Sequence, residues 1–333
     1  MRALALLFFL LPGLAWAAND AAILAKKPAK MLSAYGLFDD MGAQTPAIGV
    51  TPYDLATPLF SDHAMKLRFV YAPGPAAWSE DEVFEFPVGA VLAKTFAYPE
   101  GEGLRLIETR LLIRQEAGWR AWPYIWNEDQ TDAVLKLAGA RLDLTATKPD
   151  GTKVAVSYRA PNANQCKGCH ELGGAITPIG PKARNLNHDF DYGEGAFNQI
   201  ARWRMLGLLE NQDDAAPPSA DWRNGTLNER ARAYLDVNCA HCHRRDGPAS
   251  NSGLFLTYGE KERAAWGYLK RPVAAGRGSG GLEFDIKPGD PMSSIMVHRM
   301  KSLDPGVMMP ELGRSLPDEE GIALIEAWIA AME

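Results

Sequence analysis

The chain's four cysteines all lie in two short stretches. The first is Gln165-Cys166-Lys167-Gly168-Cys169-His170, and the second is Asn238-Cys239-Ala240-His241-Cys242-His243. Both read C-x-x-C-H, the attachment pattern of a c-type haem. Two thiols would form thioethers with the two vinyl groups of a porphyrin, and one imidazole would bind its iron. Positions i, i+3 and i+4 share a face of a helix. Cys239, Cys242 and His243 are therefore expected to point at one macrocycle, and Cys166, Cys169 and His170 at another. A zinc ribbon would bring its C-x-x-C pairs within about 15–20 residues, whereas roughly 70 separate these. A thioredoxin-like site would need a βαβ pattern around the pair, which the sequence lacks. The expectation is two covalently bound haem c groups, with iron held by His170 and His243.

An iron used for electron transfer commonly keeps a second protein ligand, His or Met. For the second motif the candidate is Met309, in Val307-Met308-Met309-Pro310, with Met308 as the alternative. The proline keeps the preceding backbone extended and brings no N–H of its own. Met292, Met296 and Met300 repeat at helical spacing and read as a packed face. For the first motif the candidates are His188, in a loop before a helix, then Met205, or an open or distant position.

The elements around these motifs divide the chain. Residues 1–17 read as a secretory signal: a basic start, an apolar core too short to span a bilayer, and Ala15-Trp16-Ala17 as the cleavage site. No cysteine follows for a lipid anchor. The formal charge of −6 argues against a nucleic-acid partner and is compatible with a basic docking partner. Residues 18–56 form an extension, with a short helix expected within Ala21 to Tyr35. Residues 57–161 are β-rich, with period-two runs at 67–71, 83–86, 91–96, 104–115 and 119–126, and a hairpin around Asp150-Gly151. Trp122, Tyr124 and Trp126 should share one strand face, as core or as a binding face for a partner or an aromatic substrate. Residues 162–222 should hold the first haem unit and a linker containing Asp213-Asp214. Residues 223–333 should form a cytochrome c domain. Its expected helices start at Thr226 or Asn228, at Asp290-Pro291 and after Ser315. The fold class expected is α+β and multidomain: an N-terminal antiparallel β-sandwich or open barrel, then two small all-α cytochrome c-like haem units.

Thr226 to Met332 resembles a class I cytochrome c domain, similar to the cytochrome portion of quinoprotein sugar dehydrogenases. Gly180-Pro181-Lys182 through Asn187, and Ala233-Tyr234-Leu235 before Asn238-Cys239, resemble a bacterial diheme c-type cytochrome family. Pro58-Leu59-Phe60-Ser61-Asp62 and Glu108-Thr109-Arg110-Leu111 look like the front half of that family. The resemblance implies a secreted electron carrier. The expected function is a periplasmic relay between a dehydrogenase or quinol-side donor and a cytochrome or oxidase acceptor, with no membrane anchor. The alternative is a diheme peroxidase- or oxidase-like enzyme whose first haem stays open.

Overall fold

The computed structural model describes residues 18–148, 150–211 and 215–333. The expected signal segment, 1–17, and Asp213-Asp214 of the expected linker lie outside the described residues.

The period-two runs fold as alternating patterns must, by pairing so that each buries its apolar face. Thr51–Tyr53, Met65–Tyr71, Val91–Glu100, Gly103–Gln115, Gly118–Trp126 and Ala133–Leu135 form one six-stranded antiparallel sheet in chain order. One face carries Phe69, Ala93, Leu111 and Tyr124 and packs on Leu32, Tyr35, Leu37 and Phe38 of the extension. Trp122, Tyr124 and Trp126 all join that core, as their spacing requires. The other face carries Val70 and Leu92 and packs on Phe84, Phe86, Leu186 and Trp203. Trp119 points to this second side, edge-to-face with Phe86 at 6.0 Å. The run 83–86 makes only isolated bridges, to Ala77 and Lys182, and is not a strand of the sheet. The hairpin Ala140–Thr147 with Lys153–Ala160 closes a third core on Phe96, Tyr98 and Ile107.

The expectation of two all-α units is corrected. The described residues are mostly β, with four two-stranded sheets beside the large one. Their seven α-helices do not exceed twelve residues. In 162–222 two hairpins, Glu171–Leu172 with Ala175–Ile176 and Asp189–Asp191 with Ala196–Asn198, take up much of the stretch 171–195 expected to be irregular and the start of the helix expected from Ala196, which runs from Gln199 to Met205. Gly173 and Gly174 turn the first at positive φ, a conformation that costs glycine little. In 223–333 the helices Leu227–Asn238, Ile295–Lys301 and Glu319–Ala330 are set in long loops. Ala21 to Tyr35 likewise reduces to Asp20–Ile23 and a 3-10 turn, Leu32–Tyr35. Among the described residues no helix is long and apolar enough to cross a membrane.

Thr226 caps its helix through a reciprocal box with Glu229. That helix packs against Glu319–Ala330, where Gly321 lies under the Tyr234 ring; a Cβ there would stand 2.3 Å from it. Gly321→Ala is expected to cost about 3 kcal/mol by overpacking, read from urea midpoints.

A segment from Asp54 to Asp62 ties the later chain to the sheet. The Asp54 N–H donates to Gln199 Oε1 at 2.8 Å, and Gln199 Nε2 donates to the Asp54 carbonyl at 3.1 Å. Thr57 Oγ1 donates to the Ala220 carbonyl at 2.7 Å and accepts from the Trp222 N–H at 3.0 Å. The Phe60 N–H donates to Asn238 Oδ1 at 2.8 Å. Buried Asp62 accepts from the Ser315 N–H at 2.7 Å, the Ser315 hydroxyl at 2.9 Å and the Leu316 N–H at 2.8 Å. Ser315 is thus taken by this contact, and Asp318 caps the last helix instead. Asp62→Ala should destabilise the fold by about 3 kcal/mol, because three donors lose a charged acceptor. Asp62→Asn, which keeps one acceptor oxygen and tolerates the positive φ at this position, should lose about 1 kcal/mol. Urea unfolding of the two variants checks the order.

Candidate functional site: the junction of the two thiol motifs

Asn162 and Gln165 start the first motif. Asn162 Oδ1 accepts from the Gln165 N–H at 2.8 Å, and Gln165 Oε1 accepts from the Asn162 N–H at 3.0 Å. This reciprocal cap supports the short helix Gln165–His170. In the second motif the regular helix ends at Asn238. Cys239–His243 adds one turn, closed by the His243 N–H on the Cys239 carbonyl at 2.9 Å.

The fold brings the motifs into contact. Cys242 Sγ donates to the Gly168 carbonyl at 3.2 Å. The Cys242 side chain beside it, then His241 and His170, holds the Cys169 thiol well below its usual pKa despite its burial. The same contact pushes Cys242 up, so the pair favours a thiolate on Cys169 and a proton on Cys242. The other two cysteines turn elsewhere. Burial raises the Cys166 thiol pKa, with nearby Arg110 of the sheet opposing the rise and Glu108 adding to it. Cys239 packs against the core of the C-terminal helices, and burial pushes its thiol up to about 12.

The expectation of two covalently bound haem c groups is corrected by this arrangement. The two thiols of each motif lie in different surroundings instead of presenting to one macrocycle. The close pairing, Cys169 with Cys242, runs across the motifs. Among the described residues no group of three or more His, Cys, Asp or Glu side chains is placed to hold a metal ion.

Both motif histidines are oriented through Nδ1. His170 Nδ1–H donates to the Thr177 carbonyl at 2.9 Å, and His243 Nδ1–H donates to Ser252 Oγ at 3.1 Å. Each ring therefore keeps Nε2 as its acceptor. Burial is the main cause that lowers both to about 4, so both are neutral at pH 7. A cleft of about 720 Å³ opens at the junction, lined by Cys169, His170, His241, Arg244, Trp119 and Phe86 among others.

Met309 and His188 stand apart from the residues lining this cleft. The Met309 backbone is pinned, its N–H donating to the Arg299 carbonyl at 3.0 Å and its carbonyl accepting from Arg314 at 2.9 Å. His188 uses both ring nitrogens locally: Nδ1 meets the Asp189 carbonyl at 3.0 Å and Nε2 meets the Gln199 amide at 2.9 Å.

Beside the junction lies a group of cations that the sequence reading passed over. A second cleft, of about 90 Å³, shares His170, Lys182 and Asp236 with the first and reaches Cys166, Arg68, Lys94 and Arg110 on the sheet. The basic residues occupy matching positions on their strands, a signal visible only once register is known. Burial, then Arg110 and Arg68, lowers Lys94 to about 7.

Neither family models, nor curated proteins, nor solved structures give a match to this chain.

The Lys94 shift has a definite sign in stability. Its ordinary pKa is 10.5. Between about pH 7 and that value the unfolded chain holds a proton that the folded one has released, so stability rises with pH across this window. Lys94→Met should be about 1 kcal/mol more stable than the parent near pH 7, since a like-charge contact is gone. Its profile should also be flatter, which urea midpoints at about pH 7, 8 and 9 will show.

Proposed function

We propose that this chain is an exported electron relay whose redox centre is the junction of its two C-x-x-C-H segments, where the Cys169 and Cys242 thiols would join as a disulfide, passing two electrons to the acceptor and releasing two protons, and would be reduced again by the donor. The observation that carries the reading is their convergence. Segments about 70 residues apart meet with Cys242 on the Gly168 carbonyl and against Cys169.

Three properties of the junction support electron transfer. Its histidines are buried, neutral and held by fixed partners, which keeps the surroundings of the thiols unchanged. Its groups are anchored on a helix, a helix-terminal turn and the sheet, not on a free loop. Its larger cleft would let a partner protein approach within a short distance of Cys169 and His170. The resemblance to bacterial diheme c-type cytochromes supports the carrier role, while the haem content read from the two motifs does not carry over. The donor would be a dehydrogenase or a quinol-side protein, and the acceptor a cytochrome or oxidase. Residues 1–17, with their basic start, apolar core and Ala15-Trp16-Ala17, support export to the periplasm.

The test is a redox titration of full-length protein from the exported fraction of a bacterial host in thiol–disulfide buffers, followed by thiol alkylation and film voltammetry. A reversible couple is expected, and it should shift or vanish in the Cys169→Ser, Cys242→Ser double variant. No reversible couple in the parent, or an unchanged couple in the double variant, would remove the junction from the role.

A further inference from the structure

The second face of the sheet is organised in rows set by register. Val70, Leu92 and Leu112 sit opposite one another across three neighbouring strands. Two residues along, Arg68 faces Lys94, and Lys94 faces Arg110. The next row is Lys66, Phe96 and Glu108. A row of three cations directly across adjacent strands is an arrangement that like-charge repulsion disfavours, by up to about 1 kcal/mol per pair.

Two of the three are answered from within the chain. Arg68 pairs with Asp54. Arg110 forms a two-pronged pair with buried Glu108 at 2.8 and 2.7 Å, and Tyr158 also donates to Glu108 at 2.6 Å. Lys94, between them, has no carboxylate partner among the described residues, and neither does Lys66. The Lys94 amine instead lies 5.2 Å from the Phe96 ring centre. Across the cleft Lys182 is matched with Asp236 at 3.5 Å, so that cation does not balance the row either.

We propose that this cleft is a binding site for an organic carboxylate with an apolar body. The head group would sit at Lys94 between Arg68 and Arg110, and the body against Leu92, Leu112, Leu59 and Ile179, which line the same cleft. An anion there turns two unfavourable cation–cation contacts into charge-assisted hydrogen bonds, the stronger kind. The walls select the ligand class. A cleft of about 90 Å³ with apolar sides suits a carboxylate on an aromatic or short aliphatic body, and it would strip water from a phosphate dianion without replacing all of it. The site adjoins the thiol junction, sharing His170, Lys182 and Asp236 with its cleft, but its occupancy does not depend on the redox reading above.

Isothermal titration of the full-length protein with sodium benzoate, at fixed ionic strength, tests the assignment. Inorganic phosphate is the second arm. Benzoate should bind, Lys94→Met should weaken it by about tenfold or more, and Lys94→Arg should restore most of the affinity. Thermal melts of the same variants separate site loss from misfolding, because Lys94→Met should melt no lower than the parent without benzoate. Failure of benzoate to bind, equal binding by Lys94→Met, or tighter binding of phosphate than benzoate would each overturn the proposal.

Discussion

The segment from Asp54 to Asp62 holds the molecule together in its working arrangement. Its hydrogen bonds to the later chain reach partners 129 to 254 positions away. Closing loops of that length costs entropy that grows only slowly with length, so a few well-made buried contacts suffice to fix the ends. Most of these contacts join a main-chain group to a side chain, so each sets a register as well as an approach. The Phe60–Asn238 bond is the one nearest the chemistry. Asn238 is the last residue of its helix and directly precedes Cys239, so the position of the second motif follows from the backbone of Phe60.

Asp54 links that tie to the electrostatics of the sheet. Its backbone grips Gln199 while its carboxylate pairs with Arg68, at one end of the cation row. Glu108 does the corresponding work at the other end, and Tyr158 of the hairpin satisfies it further. The field over the cleft is therefore set by contacts that also position the surrounding elements. Where Lys182 meets Asp236, the same field is shared with the helix that leads to Cys239.

Local rules made much of the sheet legible in the sequence. Period-two runs located four of its strands to within a few residues, and even spacing put Trp122, Tyr124 and Trp126 in one core. Asp150-Gly151 marked its hairpin, and Thr226 its cap. Long-range choices were not legible. The spacing of a C-x-x-C-H motif states where thiols can point along one helical turn, but it does not say which distant surface each one meets. Cys166 turned to Arg110 and Cys239 to the helical core, and the expected all-α units gave way to hairpins and loops. The tie at Asp54 to Asp62 lies in a turn-rich stretch without periodicity, and the cation row exists only in the register between strands.

The bond between Asp62 and Ser315 also fixes an order of events. A chain is made from its N-terminus, so Asp62 and the sheet around it exist well before Ser315 does. Roughly 70 residues lie between Cys242 and Ser315, which is on the order of 4–15 seconds of synthesis. Throughout that interval the second motif has been made but its enclosing segment has not.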